Sequence, residues 1–265
     1  MHLYRRYLRS ERITTLLYAV TLFLYAYFIS FIFPYIGKIK ALKDYMEILP
    51  PFLRAFFGEE IVQFTTLEGF LTVEFFNTTW IIILGIFTCL FVGSLVAEET
   101  EKRTLEITLS TPLRRCRFVL EKFLGFLTCL AVLVIASYSG ILLGASHIHE
   151  KVNFATYNRV FFSGFLCMMS IGTIALFFSC IFNEQRRAVS VSLAFFLALY
   201  FFNIIAALLE QFPILRYLSL FNYYDASRIF VHNTILWTDL LVLMGITGGF
   251  FVLSLLLFER KEIYL

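Results

Sequence analysis

The sequence predicts an all-α membrane protein with six transmembrane helices, and three observations carry that prediction. Of 265 residues, 60% are hydrophobic and 15% charged, with a mean hydropathy of +0.81; soluble domains run nearer half apolar and about 25% charged. The charges crowd into short stretches that leave six windows without Asp, Glu, Lys or Arg: 13–37, 77–97, 123–146, 160–182, 188–209 and 240–258. Each is close to the roughly 20 residues a helix needs to cross the hydrocarbon core. Lipid offers no partner to backbone polar groups, so windows this apolar must be helical. Helices of a soluble core would carry a polar face, which these lack. The third observation is charge asymmetry. An even number of spans puts both termini on one side. Of the 22 Lys and Arg, 14 fall in 1–12, 98–122, 183–187 and 259–265, and 8 in the longer segments opposite. Basic residues mark the inner side. The expectation is a multi-pass protein of the cell membrane with cytoplasmic termini and one transmembrane domain over 1–265.

Taken in order, residues 1–12 place Leu3, Tyr4, Tyr7 and Leu8 on one helical face, with Arg5, Arg6, Arg9 and Arg12 off it. That pattern predicts an amphipathic helix lying in the inner interface beside anionic headgroups. The apolar stretch that follows outlasts a signal-peptide core and ends in no small-residue cleavage site, so it is read as a retained span. The outer segment 38–76 contains ILPPFLRAFFGEE, punctuated by Pro50 and Pro51, and predicts short amphipathic helices resting on the outer leaflet. Trp80 and Trp237 fall at predicted outer ends of spans, where aromatic anchors are expected. Gly140 and Gly144 in the third span, and Gly245, Gly248 and Gly249 in the sixth, predict close helix contacts, within one chain or across a dimer. Asn203, a polar residue inside the fifth span, either lines the substrate route or bonds a neighbouring helix, and the second is expected. The connection from the fifth span to the sixth, QFPILRYLSLFNYYDASRIFVHNT, is too polar to span and too apolar to float free. It predicts short amphipathic or re-entrant helices, one beginning at Pro213. Asp239, beside Thr238, is placed to cap the sixth span.

Several functions are disfavoured. The net charge of +3 forms no basic stripe for nucleic acid. Of the five cysteines none lies in an outer segment, so no disulfide framework is implied. No Cys/His cluster has metal-site spacing, and His147, His149 and Glu150 read as solvated loop residues. Ser137, Ser139 and Ser170 lie in spans without a His or Asp deep enough to activate them, against an intramembrane protease. No ionisable residue lies deep in a span, which argues against ion-coupled carriers and for an apolar or amphiphilic cargo. No internal repeat relates the two halves, so a rocking-bundle carrier has no support from that side. Without a GxxxxGK[ST] sequence the chain has no P-loop for ATP. No catalytic residue, cofactor or metal site is expected.

The most informative stretch is EETEKRTLEITLSTPLRRCRFVLEK at 98–122. Its first part holds good helix formers, with Glu101, Leu105 and Leu109 stacked on one face. Pro112 ends that helix and a basic run leads into the third span. The element predicted is a short helix at the inner membrane surface with a carboxylate-rich flank, suited to being gripped by a soluble partner; charge alone fits a solvated topology signal as well. The residue order resembles the signature of ABC-2 type permeases, membrane subunits of one class of ABC exporters. That pattern sets two carboxylates before a Gly-Thr-Leu-Glu element, then a Pro, an Arg and a Lys at the mouth of the next span. The matching positions are Glu99, Glu101, Thr104, Leu105, Glu106, Pro112, Arg115 and Lys122, with Arg103 where the family has Gly. The basic start is similar to the family's interfacial elbow helix, and the six-span count agrees.

The resemblance implies that 98–117 is a coupling region docking on a separate ABC ATPase, present in two copies, beside a second permease that is identical or paralogous. It implies that Glu99, Glu101, Thr104, Leu105 and Glu106 make the contact, with Arg115 and Lys122 anchoring the element to headgroups or to the partner. Export as the direction comes by the same analogy. The competing reading is a stand-alone carrier or structural or sensory subunit with no ATPase.

Overall fold

The architecture comes from a computed structural model that describes residues 2–36, 66–102, 115–208 and 219–260. Among these residues six helices are long and apolar enough to cross a membrane, and the protein is a multi-pass membrane protein. The first span is α1, His2–Ile36. The second starts as a turn of helix, α2 (Leu67–Leu71), continues as a π-helix over Thr72–Thr79, and runs on as α3 (Trp80–Ser94). A short α4 (Ala97–Glu101) follows. The remaining spans are α5 (Arg115–His147), α6 (Phe154–Ile181), α7 (Gln185–Leu208) and α9 (Trp237–Arg260), with a 3-10 turn (Leu220–Tyr223) and α8 (Ala226–His232) before the last.

Helix α6 is the centre of the bundle, packed by α3, α7 and α9, while α1 lies along α5. The α1/α5 seam explains two of the glycines. A Cβ on Gly140 would stand 2.5 Å from the Phe23 carbonyl oxygen, and one on Gly144 would stand 2.5 Å from the Ser30 Cβ. These glycines therefore let two backbones of one chain approach closely. Gly245, Gly248 and Gly249 meet nothing within 4 Å among the described residues, so the α9 glycines serve no contact with another described part of the chain.

The seam also redraws the chain's start. Residues 2–12 form the first turns of α1 instead of a separate interfacial helix. No Pro or Gly interrupts 2–33, and α5 supplies partners: the Tyr4 hydroxyl pairs with Thr128 at 3.0 Å and Tyr7 packs on Gly125. The second span likewise begins ten residues before its charge-free window. Thr66 caps it by accepting from Gly69 N, and Phe70, Leu71, Val73, Phe75 and Phe76 are all buried, so 67–76 is not a surface element. Trp80 is fully buried, donating to Ser137 at 3.1 Å beside Phe161, whereas Trp237 is 79% exposed. Asp239 pairs with Arg228 at 3.3 Å, an arginine that Asp225 also holds while capping α8. Asn203 is half-buried and makes no hydrogen bond to another described residue. The segment with Pro50 and Pro51, and Pro213, lie outside the described residues.

Candidate functional site

The end of the bundle that carries Glu99 and Lys122 gathers the starts of α1, α5 and α7 and the ends of α3, α6 and α9. Both described chain ends lie there, as an even span count requires. The hydrogen bonds of α3 stop at Ser94, where the Ser94 hydroxyl turns back onto the Phe91 carbonyl and Leu95 N tightens onto Val92 O. The chain then bends and restarts as α4. A helix break inside a membrane protein frees backbone groups that need partners. Ser179, near the end of α6, accepts from Val96 N at 2.9 Å and from Ala97 N at 3.1 Å. Lys122 on α5 donates to the freed Leu95 carbonyl at 2.9 Å.

Lys122 is the hub. Its ammonium is 2.5 Å from the Glu99 carboxylate, with the lysine side chain 10% and the glutamate 21% exposed, and it stands 5.0 Å from the centre of the Phe118 ring. Glu101 reaches the other way: its carboxylate accepts from Gln185 N at 2.7 Å, satisfying a free donor in the first turn of α7. Glu98 takes the third direction, pairing with exposed Lys102 at 2.6 Å; that hydrogen bond holds the Lys102 pKa above its ordinary value. So α4 is fastened to α5 by Glu99, to α6 by Ser179 and to α7 by Glu101. Three spans fix its direction.

Arg115 and Cys116 tie the far side of the stretch to the last span. Arg115 donates to the Phe258 and Glu259 carbonyls at 3.3 and 3.2 Å, and the Cys116 thiol lies 2.8 Å from the Glu259 carboxylate. An arginine on the last carbonyls of a helix satisfies acceptors that have no partner within it. Of the residues named from the sequence, Glu99 and Lys122 are thus in direct contact. Glu101 lies on the same short helix facing α7, and Arg115 stands at the end of α9. Thr104, Leu105, Glu106 and Pro112 lie outside the described residues.

Sequence reasoning missed Ser179 and the role of Gln185. Serines in spans usually bond their own helix, and nothing local marks one whose partners lie 82 and 83 residues away. Replacing Ser179 with alanine leaves two buried donors without an acceptor, about 1–3 kcal/mol for each. The variant is expected to insert normally and to melt at lower temperature in detergent than the wild type; an unchanged melting temperature would mean that water serves the α4 donors equally well.

A family model described as an ABC-2 family transporter protein matches residues 8–263. No curated protein matches the chain.

Proposed function

The chain belongs to the ABC-2 family of transporter proteins, and from that membership we propose that it is the permease subunit of an ATP-driven exporter, powered by a separate ATPase bound at the α4 end. The observation that carries the reading is the fastening of α4. A free topology loop gains nothing from three spans holding its direction. A lever that a soluble partner must move does, because force applied at α4 reaches α5, α6 and α7 through Lys122, Ser179 and Glu101. Motion is useful only if the partner contacts α4 and the segment after it differently in its two nucleotide states. Positive charge at 1–12 and 98–122 supports a cytoplasmic position for this end. Two ATPases would then act on two permeases, identical or paralogous, in the cell membrane.

The contact surface is assigned to 98–117. Glu99 and Glu101 are engaged with the bundle, so reversing Glu101 would damage the start of α7 as well as any docking. Glu106 offers the cleaner test. With Glu106→Lys, the tagged chain extracted in mild detergent is expected to insert and melt normally. ATPase recovery should fall, or hydrolysis should continue without transport. Wild-type recovery with coupled hydrolysis in this variant would remove Glu106 from the interface. A wild-type chain that brings down no ATPase under several gentle extractions would favour the stand-alone reading.

A further inference from the structure

A cleft of about 850 Å³ opens at the α4 end between α1 and α7, with the last turns of α3 as its floor. Most of its charge is spoken for: Lys122 holds Glu99, Lys102 holds Glu98, and Glu101 caps α7. Glu11 is different. It lines the cleft from α1, is half-buried, and takes no hydrogen bond or ion pair from another described residue; the nearby charges it senses, Glu98 and Lys122, have opposite signs.

The order of groups along the walls narrows the occupant. Arg6 and Arg186 are exposed on the two walls. On a 1.5 Å rise Glu11 lies about 7.5 Å deeper along α1 than Arg6, and Tyr18 about 10 Å deeper again. Beside Tyr18 the cleft is walled by Leu90 and Phe91. From outside inward the sequence is cation, carboxylate, apolar and aromatic wall. A zwitterionic phospholipid has the opposite order, since its phosphate lies between the tail and the outermost amine. A molecule with a positive head joined directly to an apolar body matches, with its head at Glu11 and its body along Leu90, Phe91 and Tyr18. A half-buried carboxylate at a span end is unfavourable without a partner, and such a ligand supplies one.

We propose that this cleft binds a cationic amphiphile, an ammonium or guanidinium head on an apolar body, which reaches it sideways from the inner leaflet. Calling the occupant cargo rests on the permease reading above; the binding itself does not.

The test uses the full chain with its co-extracted partners in phosphatidylcholine nanodiscs and radiolabelled dodecyltrimethylammonium as probe. Binding above that of empty nanodiscs is expected to saturate and to resist competition by dodecyl sulfate and short-chain phosphatidylethanolamine. Glu11→Gln should weaken it at least ten-fold, and Glu11→Asp should retain most of it. Leu90→Trp, which fills the cleft from α3 without touching the carboxylate, should also weaken it, which keeps the test decisive if Glu11→Gln folds poorly. Absence of a saturable component, equal competition by dodecyl sulfate or phosphatidylethanolamine, or wild-type binding in well-folded Glu11→Gln or Leu90→Trp would overturn the proposal. The same preparations are assayed for ATPase. Binding without any ATPase sinks the permease reading and leaves the site standing; a co-purifying ATPase without binding does the reverse.

Discussion

Lys122→Met is expected to destabilise the protein by about 3–5 kcal/mol, the usual result of removing one partner from a buried ion pair. The substitution keeps most of the side chain's length and apolar bulk, so little packing is lost. What disappears is the 2.5 Å contact to Glu99 and the donor to the Leu95 carbonyl. Both groups then sit at a helix break with poor access to water. Adding Glu99→Gln removes the carboxylate that has lost its ammonium and should recover part of the loss. A double-mutant cycle of unfolding in detergent measures this: strong coupling between the two sites is the expected outcome, and simple additivity would show that the pair contributes nothing as a pair. The recovered double variant also separates stability from coupling. It should fold, yet on the permease reading proposed above it should couple ATPase activity to transport poorly, because α4 has lost its tie to α5.

The second large effect falls on the α1/α5 seam. Gly140→Leu puts a Cβ 2.5 Å from the Phe23 oxygen and 2.9 Å from the Ala26 Cβ, both on or next to the α1 backbone. No rotamer relieves a clash with main chain, so α1 must move away along its length. Overpacking of this kind typically loses about 1–3 kcal/mol, and separation of the seam would add lost packing, the main source of helix association in lipid. The expected result is weak accumulation, early melting and easy proteolysis ahead of α5. Gly248→Leu is the matched control. It introduces the same side chain in a span but meets nothing within 4 Å, so the single chain should melt as wild type. Equal damage from both variants would show that added bulk in any span, and not the α1/α5 approach, causes the loss.

Some parts of this protein were legible because one physical term dominates them. Charge-free windows become spans whatever surrounds them, since lipid forbids any other backbone state. Each of the six windows accordingly falls on one of six long apolar helices, and the order of residues from Glu99 to Lys122 pointed to the family whose model matches the chain. Helix boundaries were less legible. The 2–12 stretch looked like an interfacial helix on amphipathicity alone, yet Tyr4 and Tyr7 of its apolar face are used against α5. The 67–76 stretch carries Glu68 and Glu74, which closed the hydrophobic window early, although Leu67, Phe70, Leu71, Val73, Phe75 and Phe76 are buried.

The sequence by itself determined the span count, the fold class, the shared side of the two termini and the family. Those properties follow from local composition and residue order, which need no knowledge of neighbours. Only the tertiary structure decided which glycines hold helices together: Gly140 and Gly144 face a backbone, while Gly245, Gly248 and Gly249 face none. It alone moved Trp80 from the interface to the core, and it alone distributed Glu98, Glu99 and Glu101 among three different partners. Adjacent carboxylates on a helix are equivalent in the sequence; the direction each one points, and the charge or free N–H it meets there, is set by helices that lie far apart in the chain.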